Sequence, residues 1–232
     1  MLHHYKAVFL DAGDTLITIP KVHHITVRFL EQYGMKVEEQ QMKHALQQAL
    51  NTHYYQREKD VHAICSPDED RRFWVMLYKE VLSTLGVIHQ YDPDKMNQIC
   101  HAMYDMFLLP EHYHVFEDVA PSMQKMREMG LQVGIISNFA DSLHHILADK
   151  GIVDLFDTVI VSAEVGVEKP NPKIFEIALE HTGLSPHEML YIGDHDINDV
   201  WAPKQLGIDA IKITRYPHQT GEGITSLKEL FK

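Results

Sequence analysis

The chain has 232 residues, 45% of them hydrophobic, enough for one domain with a sizeable core or for a domain that carries an insert. Its formal charge of −12, from 21 basic and 33 acidic side chains, would repel a nucleic-acid backbone, and no basic block offsets it, so nucleic acid is excluded as a partner. No stretch approaches the roughly 18 uninterrupted apolar residues of a membrane span, and Met1–Tyr5 lacks the apolar core of a signal peptide, so a soluble, cytoplasmic protein without a membrane partner is expected.

Residues 7–16 read Ala-Val-Phe-Leu-Asp-Ala-Gly-Asp-Thr-Leu, a small and apolar run that delivers the carboxylate of Asp11 at its end and then turns. A buried parallel strand has this composition, and chemistry in α/β folds gathers just beyond the carboxyl ends of such strands. Helical periodicity follows. Val22, Ile25, Val27, Phe29 and Leu30 predict one helix ending before Gly34, and Met42, Leu46, Ala49, Leu50 and Tyr54 share a stripe of a second. Ser66-Pro67-Asp68-Glu69 reads as a capping box that opens a third helix, which carries Phe73, Trp74, Leu77, Val81 and Leu85 and stops at Gly86. Asp92-Pro93 starts a fourth, with Met96, Ile99, Cys100, Met103, Tyr104 and Phe107 inward, before Pro110. Four helices with short loops favour an antiparallel bundle, so residues 18–112 are expected to form a helical cap domain.

From Val115 the pattern alternates. Helices are predicted at Pro121–Met129, Asp141–Lys150, Lys173–His181 and Val200–Leu206, with strands at Leu131–Asn138, Thr158–Ser162, Met189–Gly193 and Ala210–Thr214. Strands alternating with helices imply a doubly wound parallel sheet, an α/β core assembled from residues 1–17 and 113–232. Polar groups collect at the strand ends: Ser137 with Asn138, Lys169 in the loop before Pro172, and Asp194, Asp196 and Asp199 after Gly193. Carboxylates packed that closely repel one another unless a cation intervenes.

The 17 histidines include the pairs His3-His4, His23-His24 and His144-His145. Neighbours on a helix point roughly 100° apart, and two ligands from one helix need i,i+3 or i,i+4 spacing, so the pairs are not built to chelate zinc. Cys65 and Cys100 lie outside every motif and read as helix-packing residues.

The order Asp11, Ser137-Asn138, Lys169, Gly193-Asp194, each at a strand end, resembles the haloacid dehalogenase superfamily of hydrolases, most of which are Mg²⁺-dependent phosphatases. The resemblance implies a Rossmann-like core with a helical cap inserted after the first motif. It also implies a phosphohydrolase acting on a small phosphorylated metabolite, in which Asp11 forms an aspartyl-phosphate, Ser137 and Asn138 donate to phosphoryl oxygens, and Lys169 offsets charge. Mg²⁺ would be held by Asp11, Asp194, the backbone carbonyl of Gly13 and, directly or through water, Asp199, with Asp196 a loop residue.

The sequence departs from the family at Asp11-Ala12-Gly13-Asp14-Thr15, where Gly13 stands at the position of the usual general acid and base. Asp14 is the obvious substitute, with His195, His23 and His24 as others. Lys21, His23, His24 and Arg28 lie nearest the first linker, where cationic groups would suit an anionic substrate. Two alternatives stay open. A metal-free 2-haloacid dehalogenase also carries Asp-Ala after its first strand, although Asp194 and an early cap with only Arg28 count against it. A binding or regulatory member weakened by the missing acid is the other. The sequence does not indicate an oligomeric state.

Overall fold

The computed structural model describes residues 2–56, 60–217, 219 and 221–232. Its first strand, β1 (Ala7–Leu10), is buried on both faces, with none of its four side chains more than 1% exposed. The apolar composition follows from its place, because β1 is the middle of a five-stranded sheet. The other strands are β4 (Gln132–Ser137), β5 (Thr158–Val161), β6 (Met189–Gly193) and β7 (Asp209–Lys212), in the order β5-β4-β1-β6-β7. All pairings are parallel, with Ala7 opposite both Gln132 and Met189. In β4, Gly134 lies under the Phe9 ring, and a Cβ there would come within 2.2 Å of it, so glycine is what lets the large ring of the central strand fit.

Helices α5 (Val119–Glu128), α6 (Ser142–Asp149) and α8 (Lys173–Thr182) connect the strands. A short helix α7 (Ser162–Val165), absent from the sequence expectation, follows β5 directly. The chain winds outward from β1 through β4 to β5, then returns to the other side of β1 for β6 and β7. Doubly wound sheets open a crevice at that reversal, beyond the carboxyl ends of β1 and β6. The expected helix at 200–206 is instead a wide π-helical turn, Asp196–Trp201, that runs into the short α9 (Ala202–Gln205). The wide turn carries Asp199 inward, where its Oδ2 accepts the His195 N–H at 2.9 Å.

The chain separates into two compact units: residues 1–18, 59–67 and 113–232, and residues 19–58 and 68–112. The second unit holds α1 (Val22–Glu31), α2 (Glu39–Leu50), α3 (Pro67–Thr84) and α4 (Pro93–Phe107). Leu30, Met42, Leu77, Val81, Ile99, Cys100 and Met103 lie in its single apolar core, and α2 continues into a π-helical turn at Asn51–Tyr55. Asp92 caps α4 by accepting the Lys95 N–H at 2.9 Å, and Arg71 of α3 pairs with Asp105 of α4 at 2.8 Å. In this unit His24 pairs with Glu39 at 2.6 Å and Arg28 with Glu31 at 3.3 Å.

Two features of the first unit have no periodic signature in the sequence. Strands β2 (Ile17–Thr18) and β3 (His114–Val115) form a two-stranded antiparallel ribbon that sets Thr18 opposite His114, so the chain leaves and re-enters this unit side by side. Residues 60–67, within the stretch read as helical insert, belong to the first unit: Ile64 bridges Val167, Cys65 N–H donates to Gly166 O at 3.2 Å, and Asn171 Nδ2 donates to Ala63 O at 3.2 Å.

Beyond β7, Arg215 ties the end of the chain to its beginning. It donates from Nη1 to Asp118 Oδ2 at 2.7 Å and from Nε and Nη2 to Thr15 O at 3.1 and 2.7 Å, and its guanidinium stacks 4.3 Å from the Phe116 ring. Asp118 Oδ2 also accepts from Ser226 Oγ and Leu227 N–H. Burial opposes the Asp118 charge, but these donors outweigh it and hold its carboxyl below the ordinary range. With the side chains only 5% and 7% exposed, Asp118→Asn should strand a buried guanidinium and cost about 3 kcal/mol, read as a lower denaturant midpoint of the full chain.

Candidate active site

Three strand ends bring the site together. Asp11 continues β1 by donating its backbone N–H to Ile192 O at 2.9 Å, Ser137 closes β4, and Asp194 follows Gly193 at the end of β6. Asp11 Oδ1 accepts from Ser137 Oγ at 3.0 Å and from Lys169 Nζ at 2.7 Å. Lys169, 3% exposed, uses its other N–H groups on Asp199 Oδ1 at 2.7 Å and on the hydroxyl of Tyr191 at 2.9 Å. The ammonium is therefore seated between two carboxylates and a phenol. Asn138 was expected to face phosphoryl oxygens, but both ends of its amide go to Lys169: Nδ2 donates to the carbonyl at 2.8 Å and Oδ1 accepts the N–H at 2.7 Å. Its place is to fix the backbone of the lysine loop.

Carboxylate oxygens of Asp11, Asp194 and Asp199 lie within 4.8 Å of one another, and the Lys169 ammonium bonds two of them, Asp11 and Asp199. Burial, reinforced by Asp199 and only partly opposed by Lys169, pushes the Asp11 carboxyl up to about 6. Burial and then the charges of Asp199, Asp11 and Asp14 push Asp194 well above the ordinary range. Burial also works against the Lys169 charge, but Asp11 and Asp199 outweigh it and raise its pKa. Crowded, buried oxygens with excess negative charge are the donor set that a hard divalent cation takes, so these residues fit a metal ion.

Asp14 adopts a left-handed backbone, φ 49°, and its Oδ1 accepts from Thr18 Oγ1 at 2.8 Å and from the Tyr216 hydroxyl at 3.4 Å. At Gly13 a Cβ would meet nothing within 4 Å. His195 Nδ1 accepts the N–H groups of Ile197 and Asn198 at 3.1 and 3.2 Å, so this nitrogen caps the turn and is committed as an acceptor. Asp196 pairs with Lys212 at 2.6 Å. Lys21, His23, His24 and Arg28 belong to the helical unit.

Sequence reasoning passed over two side chains that touch these groups. Tyr191 is the one polar side chain within β6 before Gly193, and a buried phenol needs a partner, which was a readable signal. Gln219 donates from Nε2 to Asp194 Oδ2 at 2.9 Å and accepts the Arg215 and Tyr216 N–H groups, a contact with no local pattern to announce it.

A family model of haloacid dehalogenase-like hydrolases matches residues 5–207, and the chain belongs to that family. It is 27% identical over 211 residues to haloacid dehalogenase-like hydrolase domain-containing protein 3 of Danio rerio, covering 90% of this chain and 84% of that protein. It is 37% identical over 108 residues to a glyceraldehyde 3-phosphate phosphatase of Methanopyrus kandleri, 46% of each chain. A solved HAD phosphatase from Thermococcus onnurineus superposes with a TM-score of 0.64 at 22% identity, over 97% of this chain and 95% of that one, which shows the shared fold. The protein is thus an enzyme of the hydrolase class, and no helix among the described residues is long and apolar enough to cross a membrane.

Gly193 carries a direct test of the site. A Cβ on it would lie 2.4 Å from Asp199 Cγ, so Gly193→Ala must displace the carboxylate that pairs with Lys169. In a calorimetric titration with Mg²⁺, any binding by these carboxylates should weaken by about tenfold or more, while the far-ultraviolet circular dichroism stays that of the wild type.

Proposed function

We propose that the chain is a Mg²⁺-dependent phosphohydrolase that acts on a small phosphorylated metabolite through an aspartyl-phosphate on Asp11. The observation that carries the reading is the cluster of Asp11, Asp194 and Asp199 at the ends of β1 and β6, in which Asp11 and Asp199 hold the ammonium of Lys169 between them. The similarity to a phosphatase of three-carbon sugar phosphate supports the phosphoryl substrate class.

Among the described residues, both hydrogen bonds to Asp11 fall on Oδ1, which directs Oδ2 to phosphorus. Attack by Oδ2 forms the O–P bond as the bond from phosphorus to the substrate oxygen breaks, and the departing oxygen takes up a proton. Water then attacks the aspartyl-phosphate, releases inorganic phosphate and restores Asp11. Lys169 holds Asp11 in place throughout and offsets the charge gathered beside it, Ser137 orients the same carboxylate, and Asn138 anchors the lysine loop. Mg²⁺, when bound by Asp11, Asp194, Asp199 and the Gly13 carbonyl, would offset the repulsion between an anionic nucleophile and an anionic substrate. Asp14 is the carboxyl assigned to the proton, with Thr18 and Tyr216 orienting it. The helical unit is, in this reading, the cap that governs access and substrate choice. Gly13 favours a second reading, a member that binds phosphorylated ligands and turns them over slowly, because it puts no acid at the usual position.

Purified protein should hydrolyse an aryl phosphate in Mg²⁺ and stop when the metal is chelated, and Asp11→Asn should reduce kcat to background without loss of fold. Retained turnover in that variant would remove the covalent step. The open space at Gly13 admits a side chain, so Gly13→Asp should raise kcat toward an alkyl phosphate by about 100-fold, far more than toward an aryl phosphate whose leaving group needs little protonation. An alkyl-to-aryl rate ratio that moves in Asp14→Asn but not in Gly13→Asp would place the proton on Asp14.

A further inference from the structure

Tyr191 lies in the middle of β6, entirely buried, with its ring edge-on to Phe175 at 5.1 Å. Phenylalanine would fill the same space and keep the same ring contact, so packing does not account for the hydroxyl. Its proton goes to the carbonyl of Ile136 at 2.7 Å, on the neighbouring residue to Ser137, and the oxygen also lies against the Asp199 carboxylate. With the proton committed there, the phenol oxygen faces Lys169 only as an acceptor, and it receives Nζ at 2.9 Å.

A lysine ammonium is a compact charge on a flexible stem, with three donors that can rotate among acceptors. Asp11 and Asp199 attract it from two sides at the same 2.7 Å, so two contacts alone leave it free to tilt toward either carboxylate. A third acceptor fixes the direction of all three N–H groups. We propose that Tyr191 is a positioning residue, whose hydroxyl pins the Lys169 ammonium midway between Asp11 and Asp199 and ties it to the strand that carries Ser137. This inference rests on the phosphohydrolase reading, since it assigns the lysine a role in that reaction. It adds Tyr191, within β6, as a residue that acts through the lysine.

The test replaces the acceptor and keeps the rest. Tyr191→Phe removes both hydrogen bonds, whereas p-aminophenylalanine at position 191 keeps a donor for the Ile136 carbonyl and offers the ammonium only a poor acceptor. In aryl phosphate hydrolysis with Mg²⁺, both variants should lose about tenfold in kcat with KM unchanged, and the p-aminophenylalanine protein should melt near the wild-type temperature. In a Lys169→Gln background, the further change at Tyr191 should have no effect on kcat, because the group it positions is gone. A kcat within about twofold of wild type in the p-aminophenylalanine protein, or a loss at Tyr191 that multiplies with that of Lys169→Gln, would overturn the proposal and leave the hydroxyl as a structural tie to Ile136. Turnover by the wild type and its loss in Asp11→Asn test the phosphohydrolase reading separately, so the two can fail independently.

Discussion

The ammonium of Lys169, buried between the carboxylates of Asp11 and Asp199, is the interaction around which the first unit is arranged. Removing any one of these three charges from water is costly, and the mutual attraction repays it only when the geometry is held closely. The fold supplies that geometry from four places: β1 delivers Asp11, the turn after β6 swings Asp199 inward, Asn138 at the end of β4 grips the lysine backbone, and Tyr191 meets the ammonium from within the sheet. Each contributor is itself fixed by strand pairing or by hydrogen bonds to backbone.

Lys169 bonds Asp11 and Asp199 directly and only partly offsets the Asp194 charge, which burial and the neighbouring carboxylates make unfavourable. Burial and the neighbouring carboxylates therefore favour the protonated form of Asp194. Gln219 gives Asp194 one neutral donor, which orients an oxygen without cancelling the charge.

Much of the sheet was legible because the core strands are short apolar runs, and the polar groups beyond β1, β4 and β6 can be read along the chain. Asp11, Ser137, Lys169, Asp194 and Asp199 do converge on the first unit as that order implies. What the sequence withheld was direction. Ser137 and Asn138 are adjacent, and nothing in their identity says that one meets Asp11 while the other turns to the lysine backbone. The wide turn at Asp196–Trp201 has no signature of its own: only its last two residues fall in the helix expected at 200–206, and Asp196 reads as a loop residue. The ribbon of β2 and β3 has two residues a side, too few for any alternation to show. Gln219 and Arg215 reach the site and the Thr15 carbonyl from far along the chain, contacts that only the folded topology creates.

The ribbon and the return of residues 60–67 have opposite implications for modularity. A side-by-side exit and entry at Thr18 and His114 is the geometry from which an insert could be exchanged for another without disturbing the sheet. Yet the chain passes between its two units four times, and on the middle visit it lays Ala63, Ile64 and Cys65 against the loop that holds Lys169. Excising the insert would therefore strip a backbone partner from Gly166, Val167 and Asn171. Residues 63–65 and the loop that holds Lys169 thus form one piece of the first unit, and a replacement insert must keep that short segment to leave the loop its backbone partners.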